Sequence, residues 1–380
     1  MLRLLPMSAN TRSVDTFDPH RLRLARELHG WTKQKLADCL READPVRAVS
    51  PAALSQYENG TSRPGPQVLA QLALILGMPR QFFEVGRPSV FAESGSAHMR
   101  SLRSTTLIER RRALVHASLA WEVVTYLEKY VSLPQVDLPH AVVDENVQID
   151  DIENLAADTR RWFGIPDGQP IPHVVRLLES RGVVVVRLPL ASRHVDAFCI
   201  QLGDRPFVLL SGDKEDKARS RFEAAHELGH LIAHHDIEPG THVVERQANA
   251  FASAFLMPAN TIRAQLPNRL DWPTYIEVKR HWGVSLASLI YRARTLGKIS
   301  PDMYRRAYTE LNTRTNEDGT TWRANEPGDL GAPEEPQLLS RATRLVADVQ
   351  SISSMANALG LPTQMIEEIV GQPELTVSLL

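Results

Sequence analysis

The sequence predicts an α+β protein that is mostly helical, and three observations support this fold class. In residues 20–76, four short segments have the pattern of helices, and the first, third and fourth of them end at glycine. In residues 183–210, three short runs rich in valine, isoleucine, leucine and phenylalanine are typical of β-strands. The segment that follows, residues 221–234, returns to the helical pattern. We therefore expect an N-terminal helical domain, a second domain with a small β-sheet, and a helical C-terminal region.

Length and composition are those of a soluble globular protein. The 380 residues suggest two or three domains, and 43% of them are hydrophobic. The net charge of −2 conceals an asymmetry, because residues 1–120 hold 17 Lys/Arg and 10 Asp/Glu, whereas the remainder holds 26 and 35. A basic N-terminal part is typical of a module that faces nucleic acid, although an unevenly charged solvated surface would give the same counts.

Cysteine usage and hydropathy exclude several classes of protein. The two cysteines, Cys39 and Cys199, are far apart, so neither a disulfide framework nor a cysteine-type zinc site is expected. No apolar run reaches the ~18 residues of a membrane-spanning helix, and the apolar start of the chain is too short for a signal peptide. We therefore expect a reducing, cytoplasmic setting and no membrane partner.

The N-terminal domain, residues 15–85, has the pattern of a DNA-binding motif. Its predicted helices span residues 20–28, 33–40, 51–58 and 68–76, and Thr32 and Ser50 are expected to cap the second and the third. The residues Thr32…Leu36-Ala37, Val49-Ser50…Leu54-Ser55…Tyr57-Glu58-Asn59-Gly60…Arg63-Pro64 and Leu69…Leu72-Ala73…Leu76-Gly77 resemble the helix-turn-helix of the XRE (phage-repressor-like) family. This resemblance implies a five-helix-type domain whose second motif helix enters the major groove of double-stranded DNA.

The same resemblance implies which side chains meet DNA. Ser55 and Gln56 are the candidate base contacts, since glutamine can bond adenine through two hydrogen bonds. Lys33, Asn59 and Arg63 are candidate phosphate contacts, and Ser50, at the start of the same helix, completes the set of DNA-binding candidates. Two features depart from the family. Lysine occupies position 33, where glutamine is usual, and the turn over residues 41–49 is longer than the usual three to four residues. A helix-turn-helix used only for protein contact stays an alternative.

Residues 86–150 are expected to form a linker and a long helix. Residues 87–98 are rich in serine, glycine and proline, and residues 106–133 have a helical pattern with Arg110, Arg111 and Arg112 near its start. The arginines are interpreted as a solvated face or as contacts to the DNA backbone. The apolar stripe packs within the chain or forms a homodimer.

Residues 151–310 contain the clearest chemical motif, His226-Glu227-Leu228-Gly229-His230. Predicted helices at 152–163 and 172–181 and strands at 183–188, 196–202 and 206–210 precede it. On a helix, the two histidines project from one face and can share a zinc ion, while Glu227 can take a proton from a bound water. A catalytic zinc site has three protein ligands and a water, so a third ligand is required.

The third ligand is expected on the next helix. His234 lies eight residues from His226, or ~12 Å along the axis, which one ion with bonds of ~2.0–2.1 Å cannot bridge. His234 and His235 are therefore expected at the helix end or behind the ligands. A helix predicted at residues 243–257 carries Glu245 and Asn249 four residues apart. We predict Glu245 as the ligand and Asn249 as a hydrogen-bond partner of a zinc-bound histidine. Glu238 and His242 stay alternatives for the third ligand.

The run Arg221-Phe222-Glu223-Ala224-Ala225-His226-Glu227-Leu228-Gly229-His230, with Glu245-x-x-Ala248-Asn249 and Leu256-Met257-Pro258, resembles the ImmA/IrrE family of metallopeptidases over roughly residues 150–310. The resemblance implies His226, His230 and Glu245 as ligands of one zinc ion per chain and Glu227 as general base. It also implies a protein substrate, a helix-turn-helix repressor cut in response to stress or phage signals. Tyr275 and His281 are candidate oxyanion donors. The alternatives are a transcription factor whose zincin-like domain is a non-catalytic sensor or interaction module, and a structural zinc module.

The rest of the chain is less informative. Residues 274–298 resemble another helix-turn-helix-like unit, which packs against the peptidase core or contacts DNA. Residues 311–336 are an acidic connector rich in proline and glycine. Residues 337–380 are predicted to hold two short helices that form a small cap or a dimer contact.

Overall fold

The computed structural model describes residues 3–4, 17–84, 86, 97–98, 106–143, 147–188, 197–212, 216–234 and 241–371. Numbered along the chain, the strands are β1 (Arg3–Leu4), β2 (Ala97–His98), β3 (Val131–Ser132), β4 (Val184–Leu188), β5 (Ala197–Leu202) and β6 (Arg205–Ser211). The helices are α1 (Pro19–Leu28), α2 (Lys33–Ala43), α3 (Pro51–Glu58), α4 (Pro66–Ile75), α5 (Leu107–Leu127), α6 (Ile149–Trp162), α7 (Val174–Ser180), α8 (Lys217–Ala233), α9 (His242–Leu256), α10 (Ala259–Gln265), α11 (Trp272–Trp282), α12 (Leu286–Thr295), α13 (Pro301–Thr313), α14 (Leu338–Leu345), α15 (Ile352–Leu359) and α16 (Thr363–Val370). None of the described helices has the length and apolar content needed to cross a membrane.

The predicted fold class, mostly helical α+β, is confirmed. The chain forms two compact units, each built from separate stretches of sequence. The first unit comprises Met1–Val136, Gly182–Asp213 and Pro336–Leu380, and so holds α1–α5, the strands and α14–α16. The second comprises Asp137–Arg181 and Lys214–Glu335, and so holds α6–α13.

Helices α1, α2 and α3 begin where the sequence provides side-chain caps. The side chains of Asp18, Thr32 and Ser50 accept hydrogen bonds from backbone N–H groups at the starts of α1, α2 and α3. A short 3₁₀-helix, Arg80–Phe83, follows α4 in this domain. The long turn between α2 and α3 is itself ordered as a 3₁₀-helix, Pro45–Arg47, which Asp44 caps. The Asp44 carboxylate also accepts a hydrogen bond from Gln71 of α4, so the extra residues are tied to the domain.

Helix α5 anchors the first unit. It begins at a capping box formed by Thr106 and Glu109, and most of its apolar side chains from Ala113 onward are buried within the unit's core. An ion pair between Arg21 of α1 and Glu122 of α5, 2.9 Å long and fully buried, joins the helix-turn-helix domain to α5. The helix ends at Leu127, before the predicted residue 133, because the chain turns there into β3, which pairs antiparallel with β1.

The main sheet has the strand order β2-β5-β6-β4. Strands β4 and β6 are parallel, whereas β5 is antiparallel to both β6 and β2. Alternate residues along β4, β5 and β6 join the core shared with α5: Val184, Val186, Leu188, Phe198, Ile200, Leu202, Phe207 and Leu209. The three predicted strands are present with nearly the expected bounds, although Asp196 lies outside the described residues. Strand β2 lies within the stretch expected to be a linker.

Within residues 337–371, the part of the C-terminal region that the structure describes, there are three helices, so the prediction of two was wrong. The helical pattern breaks after Leu345, and Ser351 then caps α15. All three helices contribute to the core of the first unit, where α15 contacts α5 and α16 contacts β4. The hydroxyl of Tyr126 on α5 also donates a hydrogen bond to Gln350 over 2.7 Å. These helices are therefore part of a core assembled from segments far apart in sequence.

In the second unit, α9 packs against both α6 and α8, and α7 packs against α8. The connector after α13 is ordered, and it folds back onto α8. Glu334 forms a buried ion pair with Arg221 of α8 and accepts a hydrogen bond from the backbone N–H of Val175, at the start of α7. Arg221 also donates to the carbonyl oxygens of Ile171 and Gly283. This arginine thus ties α8 to several neighbouring segments.

Candidate metal centre

Helix α8 presents the two motif histidines to the interior of the second unit. Asp216 caps the helix, and His226 and His230 lie one turn apart on it. Their Nε2 atoms are 3.0 Å apart, and their rings meet edge to face. His230 is buried, whereas the His226 side chain is 16% exposed. The pair therefore turns two nitrogen ligands toward one point.

Helix α9 brings a carboxylate to the same point. Thr241 caps this helix, which puts Glu245 in its first turn. Glu245 Oε2 lies 3.3 Å from His226 Nε2, and Glu245 Oε1 lies 3.6 Å from His230 Nε2. One side-chain nitrogen or oxygen from each of His226, His230 and Glu245 lies within 4.8 Å of the other two. These three residues therefore form a candidate metal site.

The spacing of these atoms suits a tetrahedral zinc ion. Bonds of ~2.0–2.1 Å imply ligand-to-ligand distances of roughly 3.3–3.4 Å in a regular tetrahedron. The separations of 3.0, 3.3 and 3.6 Å bracket that value. Two imidazoles and one carboxylate are also a donor set that zinc accepts in catalytic sites with an open fourth position. The residues present therefore fit a zinc ion.

The two histidines of the centre differ in pKa. Burial acts to lower the pKa of His226, but the hydrogen bond that His226 donates to Glu245 and the charges of Glu227 and Glu245 raise it above its ordinary value. Burial dominates at His230 and lowers its pKa to about 3. Burial acts to raise the pKa of Glu245, yet the nearby rings of His226 and His230 lower it to about 2. A deprotonated Glu245 and a neutral His230 are both ready to bind a cation.

Behind the three converging ligands, a second set of side chains holds the histidine rings. His226 Nδ1 lies 3.1 Å from the amide oxygen of Asn249, the residue predicted for this place. His230 Nδ1 lies 3.0 Å from His234 Nδ1, and His234 Nε2 lies 3.1 Å from the amide oxygen of Gln247. His234 thus lies behind a ligand, at the end of α8, as its spacing from His226 predicts.

The sequence provided no signal for Gln247. It lies two residues beyond Glu245, and a step of two residues along a helix points to a different face. Only the folded position of His234, at the end of α8, brings that ring to Gln247. His235 and Glu238 lie outside the described residues, and His242 is exposed in the first turn of α9.

Gly229, within the motif, allows α9 to lie close to α8. A Cβ atom at this position would lie 2.9 Å from Cδ1 and 3.2 Å from Cγ of Phe251 on α9. Carbon atoms in contact prefer separations of about 3.5–4.0 Å, so an ordinary side chain would push the two helices apart. The absence of a side chain at Gly229 thus permits the approach that brings Glu245 to the histidines.

Glu227 follows His226 directly on α8 and is almost completely buried, and its charge is one of the causes that raise the pKa of His226. Tyr275 is fully buried beside Trp272, and burial raises its pKa to about 12. His281 is exposed beside Trp282. Among the described residues, the Tyr275 ring contacts the Trp272 ring, and the His281 ring contacts the Trp282 ring.

The predicted DNA-contacting residues lie on or beside α3. The amino group of Lys33 donates a hydrogen bond to the Ser55 hydroxyl over 2.9 Å, and the Ser50 hydroxyl caps α3 by accepting from the N–H of Ala53. Three of the six predicted side chains thus make local contacts. The other three are exposed to solvent: Gln56, Asn59 and Arg63.

The second helix-turn-helix-like unit consists of α11, a left-handed turn at Gly283, and α12. The carboxylate of Glu326, in the connector, accepts hydrogen bonds from the N–H groups of Leu286 and Ala287 at the start of α12. Glu326 also pairs with Lys279 of α11 at 3.0 Å. The acidic connector therefore covers the helix end where a recognition helix would meet DNA.

Two family comparisons agree with this geometry. Residues 22–83 match the helix-turn-helix family model, and residues 178–294 match the model described as the IrrE N-terminal-like domain (Peptidase_M78). A comparison with curated proteins finds no match. The matches define the class of protein: a DNA-binding regulator with a peptidase-like domain. Within that class, the chain combines an XRE-type helix-turn-helix domain with an ImmA/IrrE-like domain, as the sequence predicts.

Proposed function

We propose that this protein is a DNA-binding transcriptional regulator whose second unit is a zinc-dependent endopeptidase. The observation that carries the proposal is the convergence of His226, His230 and Glu245 at tetrahedral spacing, with Glu227 buried beside them. In this proposal the first three residues hold one zinc ion per chain, and Asn249 orients His226. A regulator of this kind works in the cytoplasm.

The proposed chemistry assigns each side chain a separate task. A bound zinc ion supplies Lewis acidity, which lowers the pKa of a coordinated water toward ~7 and polarises a peptide carbonyl. Glu227 accepts the proton of the attacking water and delivers it to the leaving amine. His226, His230 and Glu245 would hold the ion, and because they are only three protein ligands, a fourth position would remain for water or substrate.

The proposed substrate is a helix-turn-helix repressor-type protein. Support comes from the family resemblance and from the presence of a DNA-binding domain in the same chain, which would bring a peptidase to a promoter-bound target. We further propose that α3 contacts double-stranded DNA through Gln56, with Asn59 and Arg63 on the phosphates. The covered start of α12 argues that the second helix-turn-helix-like unit packs within the protein.

The test has two parts, so that metal binding and turnover are separated. Elemental analysis of the purified wild-type chain is expected to find about one zinc per chain, and His226→Ala is expected to lose it. Co-expression with repressors from neighbouring operons is then compared for wild type and Glu227→Gln, followed by mass spectrometry of the repressors. We expect a specific cut with the wild type only, whereas Glu227→Gln keeps its zinc. A Glu227→Gln variant that cuts as fast as wild type contradicts the assignment of the base.

A metal-binding chain that cuts none of these repressors would favour the sensor alternative. Loss of zinc from Glu227→Gln would point instead to a structural role of that carboxylate. A wild-type chain that binds no zinc under any condition would contradict the proposal as a whole.

A further inference from the structure

We propose that His234 and Gln247 form a positioning chain that fixes the ring of His230 in the tautomer whose Nε2 is free to bind the metal. This inference rests on the proposed zinc function and deepens it. It assigns the role of a positioning residue to each of two side chains that do not touch the converging ligand atoms.

The chain of contacts runs from α9 back to α8. The amide oxygen of Gln247 lies 3.1 Å from His234 Nε2, and His234 Nδ1 lies 3.0 Å from His230 Nδ1. The opposite nitrogen of His230, Nε2, faces Glu245 and His226. All three members of the chain are buried, with exposures of 5% for Gln247, 1% for His234 and 2% for His230. Bulk water therefore has little access to replace these hydrogen bonds.

The direction of the hydrogen bonds follows from the amide oxygen. A carbonyl oxygen only accepts, so His234 must carry its proton on Nε2 and donate it to Gln247. A neutral His234 then has a bare Nδ1, which can only accept. The hydrogen bond between the two rings therefore requires His230 to carry its proton on Nδ1, and its Nε2 keeps a lone pair directed at the metal position.

Asn249 does the same for His226 in a single step. Its amide oxygen lies 3.1 Å from His226 Nδ1, so that ring donates from Nδ1 and presents Nε2 to Glu245 and the metal position. Both ligand rings are thus oriented by amides of α9, the helix that also carries Glu245. Carboxamides in these places orient the rings without adding charge, so the single carboxylate ligand sets the charge of the centre.

The orientation of the Gln247 amide is the point on which the proposal turns, since a flipped amide would donate to His234 and reverse both hydrogen bonds. Gln247→Glu tests it, because a carboxylate can only accept and preserves the proposed direction. Gln247→Met removes the acceptor at nearly constant volume. His234→Ala removes the middle member of the chain.

A matched control is available in the same unit. Gln265 is a half-buried glutamine whose amide oxygen accepts from the indole N–H of Trp282 over 2.7 Å. Gln265→Met therefore removes a comparable hydrogen bond without touching a histidine. Urea unfolding of the metal-free Gln247→Met and Gln265→Met variants measures any general loss of stability that either substitution causes.

The primary measurement is the zinc dissociation constant of the full chain, obtained by competition with a chromophoric chelator. We expect Gln247→Met and His234→Ala to weaken zinc binding about 10–100-fold, the range typical of lost supporting contacts. Gln247→Glu is expected to stay within a few-fold of wild type, as is Gln265→Met. The proposal is overturned if Gln247→Met binds zinc as tightly as wild type. It is also overturned if Gln247→Glu loses tight zinc binding while Gln247→Met keeps it.

Nitrogen NMR of the histidine rings provides a readout that a merely structural role would not move. In wild type, both metal-free and zinc-loaded, we expect His234 as the Nε2–H tautomer and His230 as the Nδ1–H tautomer. Gln247→Met should produce a mixture of tautomers at His234. An Nδ1–H tautomer at His234 in wild type contradicts the positioning chain even if zinc binds. If the wild-type protein shows the expected tautomers but binds no zinc, the positioning chain is supported and the proposed metal function is contradicted.

Discussion

Replacing Gly229 by alanine tests how closely α8 and α9 must pack for the metal centre to form. The new Cβ would lie 2.9 Å from Cδ1, 3.2 Å from Cγ and 3.4 Å from Cβ of Phe251. A relaxed carbon–carbon contact of about 3.5–4.0 Å requires the closest pair to separate by roughly 0.6–1.1 Å. The phenyl ring is itself buried and stacked on Phe255, so it has little room to move away by itself.

The expected loss of stability is small because two effects oppose each other. Overpacking a buried site costs typically about 1–3 kcal/mol, whereas alanine in place of a helical glycine contributes about 1 kcal/mol through backbone propensity. The net change in the free energy of unfolding is therefore about 0–2 kcal/mol. Zinc binding should be more sensitive than folding to a shift of α9. Glu245 is on the same helix as Phe251, and its carboxylate oxygens lie only 3.3 and 3.6 Å from the histidine nitrogens.

We therefore expect Gly229→Ala to weaken zinc binding about 10–100-fold while the metal-free variant still folds. The assay pairs chelator competition for zinc with urea unfolding of the metal-free chain. Phe251→Leu in the Gly229→Ala background should recover part of the zinc affinity, because the smaller side chain leaves room for the new methyl group. If Gly229→Ala binds zinc as tightly as wild type, the close approach at this glycine does not set the position of Glu245.

Three further perturbations test other parts of the protein. Arg21→Leu or Glu122→Leu alone should lower the free energy of unfolding by about 3–5 kcal/mol, because each removes the ion-pair partner of a buried charge. The double replacement should cost much less, and the urea midpoints of the three variants test this difference. Glu245→Ala should weaken zinc binding by at least about 100-fold and the exposed His242→Ala should not, and the reverse pattern in elemental analysis would exchange the two assignments. Gln56→Ala should lose about 1–3 kcal/mol of discrimination at one base pair of a DNA site selected from a random pool, and unchanged sequence preference would remove Gln56 from base recognition.

The sequence by itself determined the features that depend on local spacing. A spacing of four positions from His226 to His230 places two rings on one helical face, whatever the rest of the fold does. The caps at Thr32 and Ser50 and the apolar runs of β4, β5 and β6 are equally local, and their predicted bounds agree closely with the observed elements. The exclusion of His234 as a ligand of the same ion also needed only the rise of a helix.

Tertiary structure alone decided which distant segments meet. The assembly of α14–α16 with α5 and the sheet, the burial of Arg21 against Glu122, and the contact of Gln247 with His234 each join residues with no shared periodicity. Such contacts are selected by close packing of whole helices and by the cost of burying an unpaired polar group, and neither quantity can be read from one segment. Gly229 shows the difference most clearly: the motif states only that the side chain is absent, and the position of Phe251 explains the absence.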